Sequence, residues 1–461
     1  MTEADKELLN MIDAIRLSER NQRWKNAMKA SGWKLCADRE RWTVASWRET
    51  EGEDIQMRRA WLFAKIVDNI EISIHDDDVI VGRPTPGVIG CSTAFDICGD
   101  YIPDLWKDTV ELRITMDANV GLDPESIGIL REAAREFRGK TAPEMTYKAL
   151  EAVAGSWIKD AEAARLKDPT LDTAIFGQTT SVLMWGKILG KGLRGFIEEA
   201  ERNIDRFIAT RQADIDRLYF WKSAVIVCEA AIRHARRYAA LARKMAESEA
   251  RPDRGAELLD IAAICEQVPE NPARTFHEAL QAMAIVGVCK YYEHPMHNNP
   301  QWGRGDQYLY PYFISDIKSG ALTMEKAAEL LAELIGRWGT QTFVASESLK
   351  ESHQINFGIN NIMIGGVDRT GADRSNELSY LFLHMIGLLQ LSSPTVGLRW
   401  NKHTPGWLMN KAIRTNMATK GGIPLFENDE VVISHFLEEG IPIEEAAEWC
   451  GLGCVYPCLP S

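Results

Sequence analysis

Apolar positions recur with a 3.6-residue period through residues 181–250, which include the run GFIEEAERNIDRFIATRQADIDRLYFWKSAVIVCEAAIRHARRYAALARKM, and the spacing predicts one long helical stretch. Arg194 and Gly195 start that run, and the turn Arg251-Pro252-Asp253-Arg254-Gly255 closes it. The same period predicts helices over residues 144–167, 273–292, 324–337, 373–391, 405–417 and 442–448, separated by Gly and Pro. From residue 360 onward the pattern changes. NNIMIG (360–365), SPTVGLRW (393–400) and GIPLF (422–426) are short apolar runs bounded by Gly, Pro and Asn. Such runs between helices predict a buried sheet in an α/β fold. No repeat or linker divides the chain, so one large domain is expected.

Composition narrows the function classes. The 461 residues are 45% hydrophobic and 26% charged, which is ordinary for a globular chain able to bury a large core. Lys+Arg number 53 against 66 Asp+Glu, and the resulting net charge of −13 argues against a nucleic-acid partner. The opening MTEADKELLN is polar and acidic, unlike a signal peptide. The most apolar stretches, 279–289 and 378–391, are too short to span a bilayer, and the second carries His384, so no membrane partner is expected. Nine cysteines without a secretory signal point to reduced thiols and a cytoplasmic location.

Three of those thiols lie in WCGLGCVYPCLPS (449–461), spaced C-x3-C-x3-C. Zinc and iron–sulfur sets usually contain a C-x2-C pair and a fourth ligand, so a metal site is the weaker reading and none is expected. Gly451, Gly453 and Pro457 also oppose a helical stripe. The remaining reading is a tight, glycine-flanked loop with Cys454 at its tip. Cys450 and Cys458 are then buried or incidental thiols. The histidines of EHPMHNNP (293–300) are three apart without an evident third ligand, which again gives metal little weight. Asp76–Asp78 are expected in a solvated turn before a strand, and Asp306 and Gln307, in the loop-like GRGDQY, are expected to satisfy backbone groups.

GCVYP (453–457) resembles the active-site cysteine loop of glycyl radical enzymes, the pyruvate formate-lyase superfamily. Other segments resemble that family's in the same order: HDDDVIVG (75–82), GKGLRGFIEE (190–199), FHEALQ (276–281), GRGDQYLYPYF (303–313), IGGVD (364–368), LRW (398–400) and GGIPLFENDE (421–430). The resemblance implies an α/β barrel of two antiparallel five-stranded half-barrels surrounded by helices, of which this chain holds the first part. It implies that Cys454 is the catalytic thiyl residue. It also implies a C-terminal glycine radical, installed by a radical S-adenosylmethionine activase, with no cofactor bound directly. No glycine-radical motif of the R-V-A-G-Y type occurs in the chain, so a truncated pyruvate formate-lyase-type domain spanning 1–461 is expected. The glycine segment would then come from a longer product or a second chain. A homodimer is expected, and small accessory subunits are left open.

Two departures bear on the reaction. Where dehydratases, C–N and C–S lyases and hydroxyphenylacetate decarboxylases of the family place a glutamate two residues after the cysteine, this chain has Tyr456, and a phenol is a poor base near neutrality. The family's GHTxP segment corresponds to GQTT (177–180), with Gln178 in place of histidine. Both changes favour radical addition of a hydrocarbon to fumarate over proton-assisted elimination. An arylacetate decarboxylase or a dehydratase-like lyase is the alternative among enzymes, and a metal-binding or inactive scaffold chain the alternative outside them. Tyr456, Gln178, His297, Asn298 and Arg399 are the expected substrate-binding residues, with Arg399 and Arg304 as candidates for carboxylate recognition.

Overall fold

The computed structural model describes residues 3–31, 34–94, 96, 123–157, 160, 181–293, 301–340, 360–391, 393–453 and 456–460. Two short strands, β1 (Lys34–Cys36) and β2 (Gly90–Ser92), pair in parallel near the N-terminus. The central sheet is built from β3 (Gly303–Arg304), β4 (Asn361–Gly365), β5 (Thr395–Trp400) and β6 (Leu425–Asn428), adjacent in that order and all parallel. A parallel bridge from Val182 to Gln301 adds a fifth chain segment beside β3. An antiparallel hairpin, β7 (Cys450–Leu452) and β8 (Tyr456–Cys458), completes the strands among the described residues. The α/β architecture therefore agrees with the sequence, and the strand runs fall where the apolar pattern put them, with 422–426 shifted to Leu425–Asn428.

The apolar runs are continuous because both faces of the sheet are covered. Side chains alternate along a strand. Ile362, Ile364, Val396 and Leu398 point into the main helical core, while Met363 packs with Val182, Trp449 and Cys450 on the other face. Helices cross over between successive strands. Met324–Gly339 lies between β3 and β4, Glu377–Leu389 between β4 and β5, and Gly406–Ala418 between β5 and β6. Asn376 caps the second of these through Ser379 N. Where helices meet sheet, Trp302 lies 4.7 Å from Trp338, Trp185 stacks on Trp338 at 5.8 Å, and the Trp185 indole donates to Gln301 O.

The stretch expected as one helix over 181–250 is two, Trp185–Asp205 and Gln212–Ser248. Periodicity alone could not reveal the break. The Asp214 carboxylate accepts from the backbone N–H groups of Thr210 and Arg211, starting a new helix there. The helix expected over 144–167 is Ala142–Ala154 in the described residues, ended by Gly155 at φ +61°.

HDDDVIVG also differs from the solvated turn before a strand. Asp78 is buried, accepting from His75 N at 2.8 Å and Arg83 Nε at 3.1 Å, with Arg337 at 3.3 Å. Burial opposes its ionisation, but Arg83 and Arg337 outweigh it and hold the carboxyl below the usual range. Beyond Asp78 the extended backbone is satisfied by helix side chains instead of a sheet. Glu333 accepts from Val79 N and Ile80 N, each at 3.1 Å, and Gln281 of FHEALQ bonds both N and O of Val81. Burial pushes the Glu333 carboxyl up to about 7 even with Arg337 at 2.7 Å.

Replacing Glu333 strips two buried backbone donors at once. Glu333→Ala is expected to lower unfolding free energy by about 3 kcal/mol, read from denaturant midpoints. Glu333→Gln keeps an acceptor and should lose clearly less. Equal losses in the two variants would show that the backbone donors do not depend on this side chain.

Candidate active site

The chain reaches β7 through a short helix, Ile443–Ala446, and Trp449. Glycine, proline and apolar residues in alternation then fold as a hairpin, with Cys450 opposite Cys458, Gly451 opposite Pro457 and Leu452 opposite Tyr456. Gly453 opens the turn at φ +58°, in the left-handed region. The hairpin lies against the sheet face that Met363 occupies. A Cβ at Gly451 would stand 2.4 Å from Asn361 Oδ1 and 2.8 Å from Met363 Sδ, so only glycine permits this approach.

Arg399, from β5, anchors the root of the hairpin. Its Nε and Nη2 donate to Asp429 Oδ1 at 2.8 and 2.6 Å, its Nη1 to Trp449 O at 2.8 Å, and its Nη2 also to Ala447 O at 3.0 Å. Asp429 accepts in addition from the Trp449 indole and from Val367 N, each at 2.6 Å. A Cβ at Gly366 would meet Arg399 Nε at 2.5 Å, which leaves a glycine as the residue that lets the guanidinium pass. Burial, and secondarily Arg304, lowers the Arg399 pKa to about 10, so it stays cationic at neutral pH. Arg304 supports the same root, donating to Glu448 at 3.1 Å and Gly365 O at 3.2 Å.

At the base of the hairpin the sulfurs of Cys450 and Cys458 are 3.7 Å apart. The hydrogen bond shared between the two sulfurs lowers the Cys458 pKa, helped by the nearby Lys290, while the same bond and burial raise that of Cys450. Lys290 is itself buried, pushed down to about 7, and donates to Ser181 O. An apolar cavity of about 510 Å³ adjoins Lys290 and Ser181, but its walls are mostly helical and include no hairpin residue.

Of the residues expected at the site, Cys454, Gln178, His297 and Asn298 lie outside the described residues. Tyr456 stands on β8 with 70% of its surface exposed. Arg399, expected to receive a substrate carboxylate, is fully buried, and all three of its guanidinium nitrogens donate to protein acceptors. The described ends of the other segments do converge. Ser181, just after GQTT, meets Lys290, near the end of the Phe276–Glu293 helix, and Lys290 in turn influences Cys458. Lys290 was missed in the sequence, although a lone cation inside the apolar run AIVGVCKYY was a signal for it. The expectation for Asp306 and Gln307 agrees with the structure: Asp306 accepts from Gly365 N at 2.8 Å, and Gln307 donates to Arg374 O at 3.1 Å. Among the described residues no cluster of three or more His, Cys, Asp or Glu could hold a metal, and no helix is long and apolar enough to cross a membrane.

The pyruvate formate lyase-like family model matches residues 12–461, and the chain belongs to that family. It is 30% identical over 441 residues to an isethionate sulfite-lyase of Oleidesulfovibrio alaskensis, covering 93% of this chain and 52% of that protein. The chain thus spans about half the length of the curated relatives it matches. Among solved structures it superposes on the glycerol-bound, B12-independent glycerol dehydratase of Clostridium butyricum with TM-score 0.83 at 25% identity, covering 97% of this chain and 55% of the other. A glycyl radical enzyme from Archaeoglobus fulgidus gives TM-score 0.81 at 27% identity, covering 95% and 55%.

Two substitutions test the anchoring. Gly451→Ala should raise amide hydrogen exchange across 447–460 while leaving the global unfolding midpoint near wild type, because it displaces only the hairpin. Asp429→Ala should cost about 3–5 kcal/mol of stability by leaving Arg399 buried without its carboxylate. An Asp429→Ala protein as stable as wild type would remove that ion pair from the account.

Proposed function

We propose that this chain carries Cys454 as the hydrogen-abstracting thiol of a glycyl radical enzyme, and that abstraction from a small polar substrate leads to loss of a leaving group. The observation that carries this reading is the hairpin flanking residue 454, rooted by Arg399, Asp429 and Trp449 on the face of a parallel sheet. A hydrogen-abstracting sulfur needs a fixed position and a dry surrounding, and the anchored, glycine-packed root serves the first need. Family relatives support elimination, since isethionate sulfite-lyase and glycerol dehydratase are what the matching proteins are named.

Within this reading Arg399 is a positioning residue for the loop, and Tyr456, Gln178, His297 and Asn298 line the substrate side. A glycine radical, from further sequence of the same protein or from a second chain and installed by a radical S-adenosylmethionine activase, supplies removal of the Cys454 thiol hydrogen. Abstraction of a substrate hydrogen by the Cys454 sulfur then weakens the neighbouring carbon–heteroatom bond. Two features favour the second reading, hydrocarbon addition to fumarate: Tyr456 offers no carboxylate to take a proton, and Gln178 stands in place of a histidine. The named relatives give that reading no support.

Anaerobic assays of the activated protein separate these. A 2-hydroxysulfonate or vicinal diol should release sulfite or water with formation of an aldehyde, and Cys454→Ala should lower that rate by more than about 1,000-fold. Turnover of toluene and fumarate to a succinate adduct, or carbon dioxide release from an arylacetate, without elimination from the first substrates would replace elimination by addition or decarboxylation. Undiminished turnover in Cys454→Ala would sink the thiyl assignment.

A further inference from the structure

We propose that Cys450 and Cys458 form a reversible dithiol–disulfide pair that closes the base of the hairpin on oxidation. The two residues are direct cross-strand partners and their sulfurs already lie 3.7 Å apart. Directly opposed residues of an antiparallel pair carry Cβ atoms about 4.5–5.5 Å apart, close to the span a disulfide bridges. The sulfurs therefore need to approach by about 1.7 Å to reach the bond length of about 2.05 Å, with no change of register. Packing holds both thiols in place. Cys450 is buried beside Met363, Trp449 and Val182, and a Cβ at Gly303 would lie 3.9 Å from its sulfur.

The asymmetry of the pair sets the order of attack. Cys450 is 1% exposed, whereas Cys458 is partly exposed and lies near the Lys290 amine. Among the described residues Cys458 is the one thiol whose ionisation is favoured; burial raises Cys36 and Cys228 to about 11 and pushes Cys91, Cys265 and Cys289 higher still. Since the thiolate is the nucleophile, Cys458 reacts first. Its sulfur attacks a low-molecular-weight disulfide RSSR, forming Cys458–S–SR and releasing RS⁻. The Cys450 sulfur, losing its proton, then attacks the Cys458 sulfur, forms the Cys450–Cys458 bond and releases a second RS⁻. In sum, two protein thiols and RSSR give one protein disulfide and two RSH; the protein is oxidised by two electrons and RSSR is reduced. The reverse exchange with a dithiol restores both thiols.

The pair depends on the hairpin alone and stands whatever the role of Cys454. An effect on turnover would rest additionally on the proposed function, and the test therefore reads the bond itself. The protein, purified without oxygen, is titrated with glutathione disulfide, alkylated, digested and mapped by mass spectrometry. A Cys450–Cys458 crosslink should appear before any other thiol is lost, reverse with dithiothreitol, and persist in Cys454→Ala. Cys450→Ser should trap a glutathionyl adduct on Cys458. A disulfide that includes Cys454, loss of the crosslink in a folded Cys454→Ala protein, or Cys450 and Cys458 both still alkylatable after the other thiols have reacted would overturn the proposal.

Discussion

The buried Arg399–Asp429 pair is the interaction on which the candidate site depends. Removing two charges from water is costly, and such a pair persists only where geometry and further hydrogen bonds offset the loss. Here the guanidinium satisfies Asp429 together with the carbonyls of Ala447 and Trp449, and the carboxylate also serves the Trp449 indole and Val367 N. One ion pair thereby ties β5, the end of β4, the start of the Asp429–Glu438 helix and the approach to the hairpin. The ion pair acts together with the apolar packing of Trp449, Cys450 and Leu452, because Gly451 and Gly453 contribute little burial of their own.

The sheet divides labour between its faces. Ile362, Ile364, Val396 and Leu398 secure it to the helices by apolar burial, while Asn361, Met363, Gly397 and Arg399 alternate with them and receive the hairpin. Glycines sit where two backbones or a backbone and a long side chain must meet. A Cβ at Gly397 would lie 2.6 Å from Met363 Sδ, and the constraints at Gly366 and Gly451 are similar. Rigidity on one face thus becomes positional accuracy on the other.

Strands β4 and β5 were legible because fully buried runs such as NIMIG and TVGLRW have few alternatives once Gly and Pro bound them. Helix breaks were not. The interruption before Gln212 depends on the Asp214 carboxylate reaching back to two backbone donors, an interaction between polar residues that a hydrophobic period does not register. Asp78 was misjudged for a related reason: its partners Arg83 and Arg337 belong to different segments, and three consecutive aspartates look solvated until those partners are seen. A glycine turn at Gly453 was legible from its local pattern, whereas the anchoring position of Arg399 was not, since a buried guanidinium paired with Asp429 and one facing a ligand have the same sequence signature. Cys450 and Cys458 seemed incidental because a spacing of eight residues has meaning only once a hairpin places them opposite each other.

Lys290 shows how distant segments become one site. Burial makes its charged form costly, and a thiolate at Cys458 is the charge that would compensate, so each favours ionisation of the other. The amine also bonds Ser181 O, beyond the GQTT segment, and the Val182–Gln301 bridge ties that same segment to β3. Residues near 181, 290, 301 and 458 thus share one electrostatic neighbourhood although more than a hundred residues separate some of them. A charge change at the hairpin base is felt at Lys290 and, through it, beside Ser181. Reactivity at the hairpin is therefore a property of the packed assembly of these segments, with Lys290 as the group through which their electrostatics are joined.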